Sequence, residues 1–249
     1  MRIRDFVSEI GYHLMLFYQA LMSYRFWGKR YKDILHQIEV CTFGGFPVAM
    51  IVAIFSGMVL ALQSGVTLKD YGQEASIGML VAASMCREMG PVMTGYILAG
   101  LIGSTIAAEI GTMKVSEEID ALEVMSIEPI QYLVLPRLVA LAIVCPLLTI
   151  YTDLVGVIGG GVIGKMALDV PHSLYFRNAI EALTNKDIYT GLFKAVVFGI
   201  SIAVVSCAQG LRAENGAAGV GTATMKAVVI SFITVLIFDF LLTYLFYGL

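Results

Sequence analysis

Arg87 and Glu88 stand side by side in a run, residues 75–110, that is otherwise apolar, just ahead of Gly90 and Pro91. A charge at the centre of a bilayer costs about 3 kcal/mol or more, so ionisable residues at that depth are functional candidates by default. Both signs are present, and the neighbouring proline frees backbone groups that need partners. Lys194 and Asp239 also lie in apolar runs, as do Asp153 and Glu109. Long side chains near a span end reach back to water. On that basis Lys194 and Asp239 are expected to snorkel to the outer headgroups, and Glu109 to face the cytoplasmic boundary. For Arg87 and Glu88 two readings stand: a pair that locks a helix break, or groups that line a path through the membrane.

A second cluster is acidic. Glu117, Glu118, Asp120, Glu123 and Glu128 crowd the stretch "GTMKVSEEIDALEVMSIEPIQYLVLPR", residues 111–137, between two apolar runs. Ser116 is placed to cap a helix start, which puts Glu117 and Glu118 at the positive end of its dipole. Ile119, Leu122 and Met125 recur every three residues; Asp120 and Glu123 share the other face. Pro129 ends the pattern. The spacing predicts a short amphipathic helix over 116–126, about 15 Å long. It is either a solvated loop helix or the handle by which a soluble machine grips the membrane spans.

Other chemistry finds no support. His13, His36 and His172 are scattered, and the four cysteines, Cys41, Cys86, Cys145 and Cys207, lie in or beside apolar runs without a C-x-x-C pair. They read as small buried hydrophobes, with no metal ligand set. No Ser-His-Asp, Cys-His or paired-carboxylate set can be argued, so no catalytic residues are expected. "GGGVIGKM", residues 159–166, nearly satisfies a phosphate-binding loop, but Met166 stands where a Mg²⁺-binding hydroxyl belongs. The four-residue spacing of Gly156, Gly160 and Gly164 suits close helix packing instead. ATP chemistry, where needed, must therefore come from another chain. A net charge of -3 argues against a nucleic-acid partner.

The elements that must position these residues are membrane helices. The chain has 249 residues, 58% hydrophobic and 14% charged, where a soluble domain carries about 25% charged residues. Runs at 40–62, 75–110, 138–164, 188–211 and 222–248 are each long enough for a helix to cross ~30 Å of hydrocarbon. The run 75–110 is too long for one straight crossing and too short for two, so it is expected to cross once, broken at Gly90–Pro91. Residues 165–187 read as an amphipathic connection. Residues 6–27 are aromatic and methionine-rich, flanked by Arg2, Arg4, Arg25, Lys29, Arg30 and Lys32, which suits a helix lying in the interface. A first spanning helix is the alternative, weakened by Glu9, His13 and Gln19. The fold class is thus an all-α integral membrane protein: one domain over 1–249, an interfacial helix within 1–34, and a five-span core over 35–249. The bias of basic residues places the N-terminus in the cytoplasm and the C-terminus outside.

Three blocks carry a resemblance: "MCREMGPVMTGYILAGLIGSTIAAEIGTM", "EEIDALEVMSIEPIQYLVLPR" and "GVGTATMKAVVISFITVLIFDFLLT". In this order, from about Val40 to the C-terminus, they resemble the MlaE family, permease subunits of ABC transporters that work with MCE-domain proteins. The resemblance implies a homodimer in the inner membrane of a double-membrane bacterium, moving phospholipid or a related lipid between inner and outer membranes. It implies a coupling helix, here Glu117, Glu118, Ile119, Asp120, Leu122 and Met125, docked on a separate ATPase that binds ATP and Mg²⁺; no cofactor is expected in this chain. The family's motif contains the Arg87–Glu88 pair, which makes these two substrate-path candidates; Lys194 and Asp239 are added as candidates by their place in apolar runs. The chain departs from the family pattern at Glu118, Glu123 and Ser126, where Gln, Arg and Gly are usual, and at Thr222 and Met225–Lys226, near which two arginines are usual. Two rivals remain: a secondary transporter or channel with its own midplane site, and a membrane-embedded lipid enzyme. The first would show inverted repeats and the second an interfacial His, Asp or Cys motif; neither is visible.

Overall fold

A computed structural model describes residues 3–23 and 30–248. Arg2, Arg25 and Lys29, and the side chain of Arg4, which contribute to the basic flanks of the first helix, lie outside the described residues. All regular elements among the described residues are helical. Five helical runs are long and apolar enough to cross a membrane: Tyr31–Asp70, Glu74–Val115, Ile130–Leu168, Asn185–Leu211 and Gly216–Tyr247. The chain is a multi-pass membrane protein. A shorter helix, α1 (Ile3–Met22), precedes them.

The spans extend beyond the apolar runs. α2 (Tyr31–Asp70) continues past both ends of the apolar run 40–62, and α10 (Gly216–Tyr247) starts ahead of the run 222–248. Backbone hydrogen bonding continues past the apolar core because the helix end can be solvated or held by neighbours.

The second span differs from its expectation. It does not break at Gly90–Pro91. α3 (Ile77–Ser84), α4 (Gly90–Leu98) and α5 (Ser104–Val115) are joined through two π segments, Met85–Met89 and Ala99–Gly103, within a 42-residue run. A π turn widens the hydrogen-bond ladder by one residue. Pro91 sits in the first turn of α4 directly after the first π segment, where its missing N–H does least damage.

α2 packs along α7 (Leu135–Leu168), through small residues. Cys41, Gly45, Ala49, Ala53, Gly57, Ala61 and Gly65, one per turn, form the buried stripe of α2. A methyl group on Gly57 would fall on the Gly156 carbonyl oxygen, and one on Gly159 would meet the Ile54 carbonyl. Gly160 and Gly164 face the ring of Tyr175, on α8 (His172–Ala182). These glycines thus pack helices, as their spacing predicted. Tyr175 is fully buried, its hydroxyl donating to the Val157 carbonyl at 3.1 Å; burial pushes this phenol above its ordinary pKa. α9 (Asn185–Leu211) is well enclosed, with residues 201–210 all buried.

One end of the bundle gathers α1, the short helix α6 (Glu118–Val124) and the 212–215 turn. Leu16 and Ala20 of α1 enter the main core, Gln209 donates to Glu9 at 3.1 Å, and Arg212 lies over the Tyr12 ring. Ile10, Leu14, Met15, Tyr18, Leu21 and Met22 remain exposed on α1. The opposite end carries α8 and the end of α10, where Lys186 donates to the Phe246 carbonyl at 2.7 Å.

Candidate functional site

The π segment Met85–Met89 brings the predicted intramembrane charges into one network. Pro91 cannot donate to the carbonyl four residues back, that of Arg87. Lys194 of α9 donates to it instead, at 3.0 Å. The same ammonium donates to Glu88 at 2.7 Å, Asp239 at 2.9 Å and Thr243 at 2.7 Å. Thr243 in turn donates to the other Glu88 oxygen at 3.0 Å. Lys194 is 0% exposed. Thus Lys194 and Asp239 do not snorkel to the headgroups as expected. A buried ammonium with three rotatable donors is stabilised by two carboxylates and a carbonyl more than by a reach to water.

Arg87 and Glu88 do not pair with each other. Arg87 turns to Asp187, with Nε 2.7 Å and a terminal nitrogen 3.2 Å from its two oxygens, and lies 5.3 Å from the centre of the Tyr247 ring. Asp187 was missed by sequence reasoning. It also accepts from the Thr184 amide at 3.1 Å, the Thr184 hydroxyl at 2.8 Å and the Tyr247 hydroxyl at 3.0 Å. The signal was the "LTNKD" start of α9, in which Thr184 and Asp187 form a capping box. Its second use, binding Arg87, is a long-range contact no local pattern announces. The network joins the second span to α9 and α10 and leaves Arg87 and Glu88 partly exposed.

Asp153 of α7 lies close against Gly90, where a side chain would strike its carboxylate, and its Oδ1 is buried without a hydrogen-bond partner. Thr94 and Thr152 share a buried hydrogen bond of 3.0 Å.

The second candidate, α6, lies at the other end. Ser116 does not cap it: Ser116 closes α5, and the residue ahead of α6 is Glu117, in the left-handed region at φ 61°. A single left-handed residue, Glu117, therefore separates the two helices after the Ser116 C-cap. α6 ends in a Schellman arrangement, Ile127 N–H to Leu122 O at 2.9 Å and Ser126 N–H to Glu123 O at 2.9 Å. Ser126, where the resembling family usually has Gly, has φ 59°.

The expected apolar face of α6 divides. Ile119 is 3% exposed and belongs to the main core, and Leu122 packs against that core. Only Met125 stays outside, joined by Val124 at 86% exposure. A helix this short has too few residues to hold its place without anchoring some apolar side chains on the bundle. Glu117, Glu118, Asp120 and Glu123 are exposed, and Asp120 accepts from Lys114 at 2.8 Å. Glu109 does more than face the boundary: it accepts from the buried Arg137 at 2.9 Å. No group of three or more His, Cys, Asp or Glu suited to a metal ion occurs among the described residues.

The family model described as Permease MlaE matches residues 34–245. A probable ABC transporter permease of Rickettsia prowazekii is 44% identical over 86% of this chain and 83% of its own length. A probable ABC transporter permease of Synechocystis is 38% identical over 86% of this chain and 81% of its own. The chloroplastic protein Trigalactosyldiacylglycerol 1 of Arabidopsis thaliana is 35% identical over 87% of this chain and 62% of its own.

Proposed function

The chain belongs to the MlaE permease family, and from that premise we propose that it is the membrane subunit of an ABC transporter that moves phospholipid or a related lipid. The chain acts as one permease domain, as a homodimer in the bacterial inner membrane, with ATP and Mg²⁺ bound by a partner ATPase and an MCE-domain protein on the outer side. The bias of basic side chains supports a cytoplasmic N-terminus and a C-terminus outside. The apolar outer face of α1, Ile10, Leu14, Met15, Tyr18, Leu21 and Met22, supports its place in the interface. A lipid substrate is supported by the relative whose name is that of a galactolipid. Arg87 and Glu88, the exposed edge of the ion network, lead the substrate-path candidates, with Lys194 and Asp239 behind them; Asp187 holds Arg87, and Lys194, itself held by Asp239, holds Glu88.

The observation that carries the ATPase reading is α6 itself: seven residues hung between two spans, anchored by Ile119 and presenting Glu118, Asp120, Glu123, Val124 and Met125 outward. Apolar tips ringed by acids suit a groove with a basic rim on the ATPase. The Val124→Asp variant should insert at wild-type level and lose co-purifying ATPase activity. Undiminished ATPase activity in the purified variant would overturn this docking mode. The alternative of an ion-driven secondary transporter draws on the buried Lys194 network. Lipid movement in vesicles with an ion gradient and no ATP would favour it.

A further inference from the structure

Beyond the docking of α6, we infer that Arg137 and Glu109 form a clamp that makes α6 and the two spans flanking it move as one unit. They are positioning residues for transport. This rests on the reading of α6 as the ATPase contact.

Three links make the unit. α6 is tied to α5 by the Lys114–Asp120 ion pair of 2.8 Å and by Ile119 in the core. α5 is tied to the start of the third span by Arg137, which spends one terminal nitrogen on Glu109 at 2.9 Å and the other on the Leu133 carbonyl at 2.9 Å. That carbonyl lies in the π segment Ile130–Val134, so Arg137 also braces the irregular turn by which the chain returns from α6 to α7. α9 and the turn after it lie close against α5: a side chain at Gly210 would crowd Ile110, and one at Gly111 would crowd Ala213.

Arg137 is 8% exposed, and its Nε has no partner. A buried guanidinium with one carboxylate partner gives weak net stability and strong positional definition, because leaving it unpaired is costly. Lysine could not make both planar contacts. Without the clamp, α6 would still be fastened to α5, but displacement of α5 would no longer be passed to α7. The second span also carries Glu88 and Arg87, so a push at α6 has a direct route along it to the ion network, and the clamp sets whether α7 moves with it.

The test uses Glu109→Ala, which removes both acceptor oxygens at a half-exposed position and leaves the core packing in place. Arg137→Met is the second variant; it removes the buried charge and leaves Glu109 free to be solvated. The wild-type and variant complexes, purified with their ATPase, are placed in vesicles holding a fluorescent phosphatidylethanolamine. ATP hydrolysis and lipid transfer are measured together. Both variants should retain the ATPase and hydrolyse ATP while lipid transferred per ATP falls at least ~5-fold. An unchanged ratio would overturn the clamp, and so would equal loss of bound ATPase and transport, which would make these residues part of docking or folding.

A second readout needs neither ATP nor lipid transfer. The native cysteines are all buried, so spin labels can be directed to Val124→Cys and Leu147→Cys on the permease alone. The distance distribution between them should be narrow in the parent and broad in Glu109→Ala. A distribution equally narrow in both refutes the clamp even where no ATPase binds, whereas loss of ATPase binding by the unmutated chain refutes only the docking reading.

Discussion

At the residue scale, the network around Lys194 follows from a proline. Pro91 leaves the Arg87 carbonyl without its helical donor, and an ammonium from another span fills the gap at 3.0 Å. That ammonium then needs anions at the same depth, and Glu88 and Asp239 supply them. Removing the cation leaves two carboxylates facing each other in the membrane interior. Lys194→Met should therefore destabilise the detergent-purified protein by about 3–5 kcal/mol. Glu88→Gln keeps a hydrogen-bonding oxygen for Lys194 and should cost less than Lys194→Met. Thermal unfolding of both variants checks the order. Equal stability of Lys194→Met and the parent would mean the ion contacts do not hold the spans. A different residue argument applies at Ser126. Its φ of 59° costs an L-residue roughly 1 kcal/mol. Ser126→Gly should stabilise the α6 turn by about that amount, read as greater protection of the Ile127 amide in hydrogen exchange.

At the element scale, the approach of α2 to α7 is set by backbone meeting backbone. Packing between membrane helices gains from close contact because lipid competes equally for apolar side chains. Gly57 sits where a methyl group would overlap the Gly156 carbonyl oxygen. Gly57→Ala should force the helices apart and lower thermal stability by about 1–3 kcal/mol. Ala at Gly100, which has nothing within 4 Å of its added methyl, is the control and should be near neutral. α6 shows the opposite economy: it spends half its apolar face on anchorage, which is why a seven-residue helix can be held at one orientation.

At the scale of the whole molecule, α6 and α1 share one end while α8 and the C-terminus share the other. Five crossings put these ends on opposite sides of a bilayer. Single cysteines at Val124 and Met166, both exposed, report the two ends without interference from the buried native thiols. A membrane-impermeant maleimide added to intact spheroplasts should label Met166→Cys and leave Val124→Cys until the membrane is opened. Labelling of Val124→Cys from outside would place α6 away from any cytoplasmic ATPase.

The sequence by itself determined the number and order of the spans, because an apolar run of about twenty residues has few alternatives to a membrane helix. The glycine spacing on α7 and the acidic interruption at 117–128 were legible for the same local reason: their periodicity is a property of one helix. Arg87, Glu88, Lys194 and Asp239 were visible as misplaced charges, yet their pairing was not. Which carboxylate meets which cation depends on the rotation of three spans and on a π segment that shifts Arg87 and Glu88 around the helix. The capping role of Asp187 was local, but its pairing with Arg87 joins residues 100 apart in sequence. The inward turn of Ile119 was equally hidden. An amphipathic pattern states that a face is apolar, and only the tertiary structure decided that this face was partly taken up by the protein's own core.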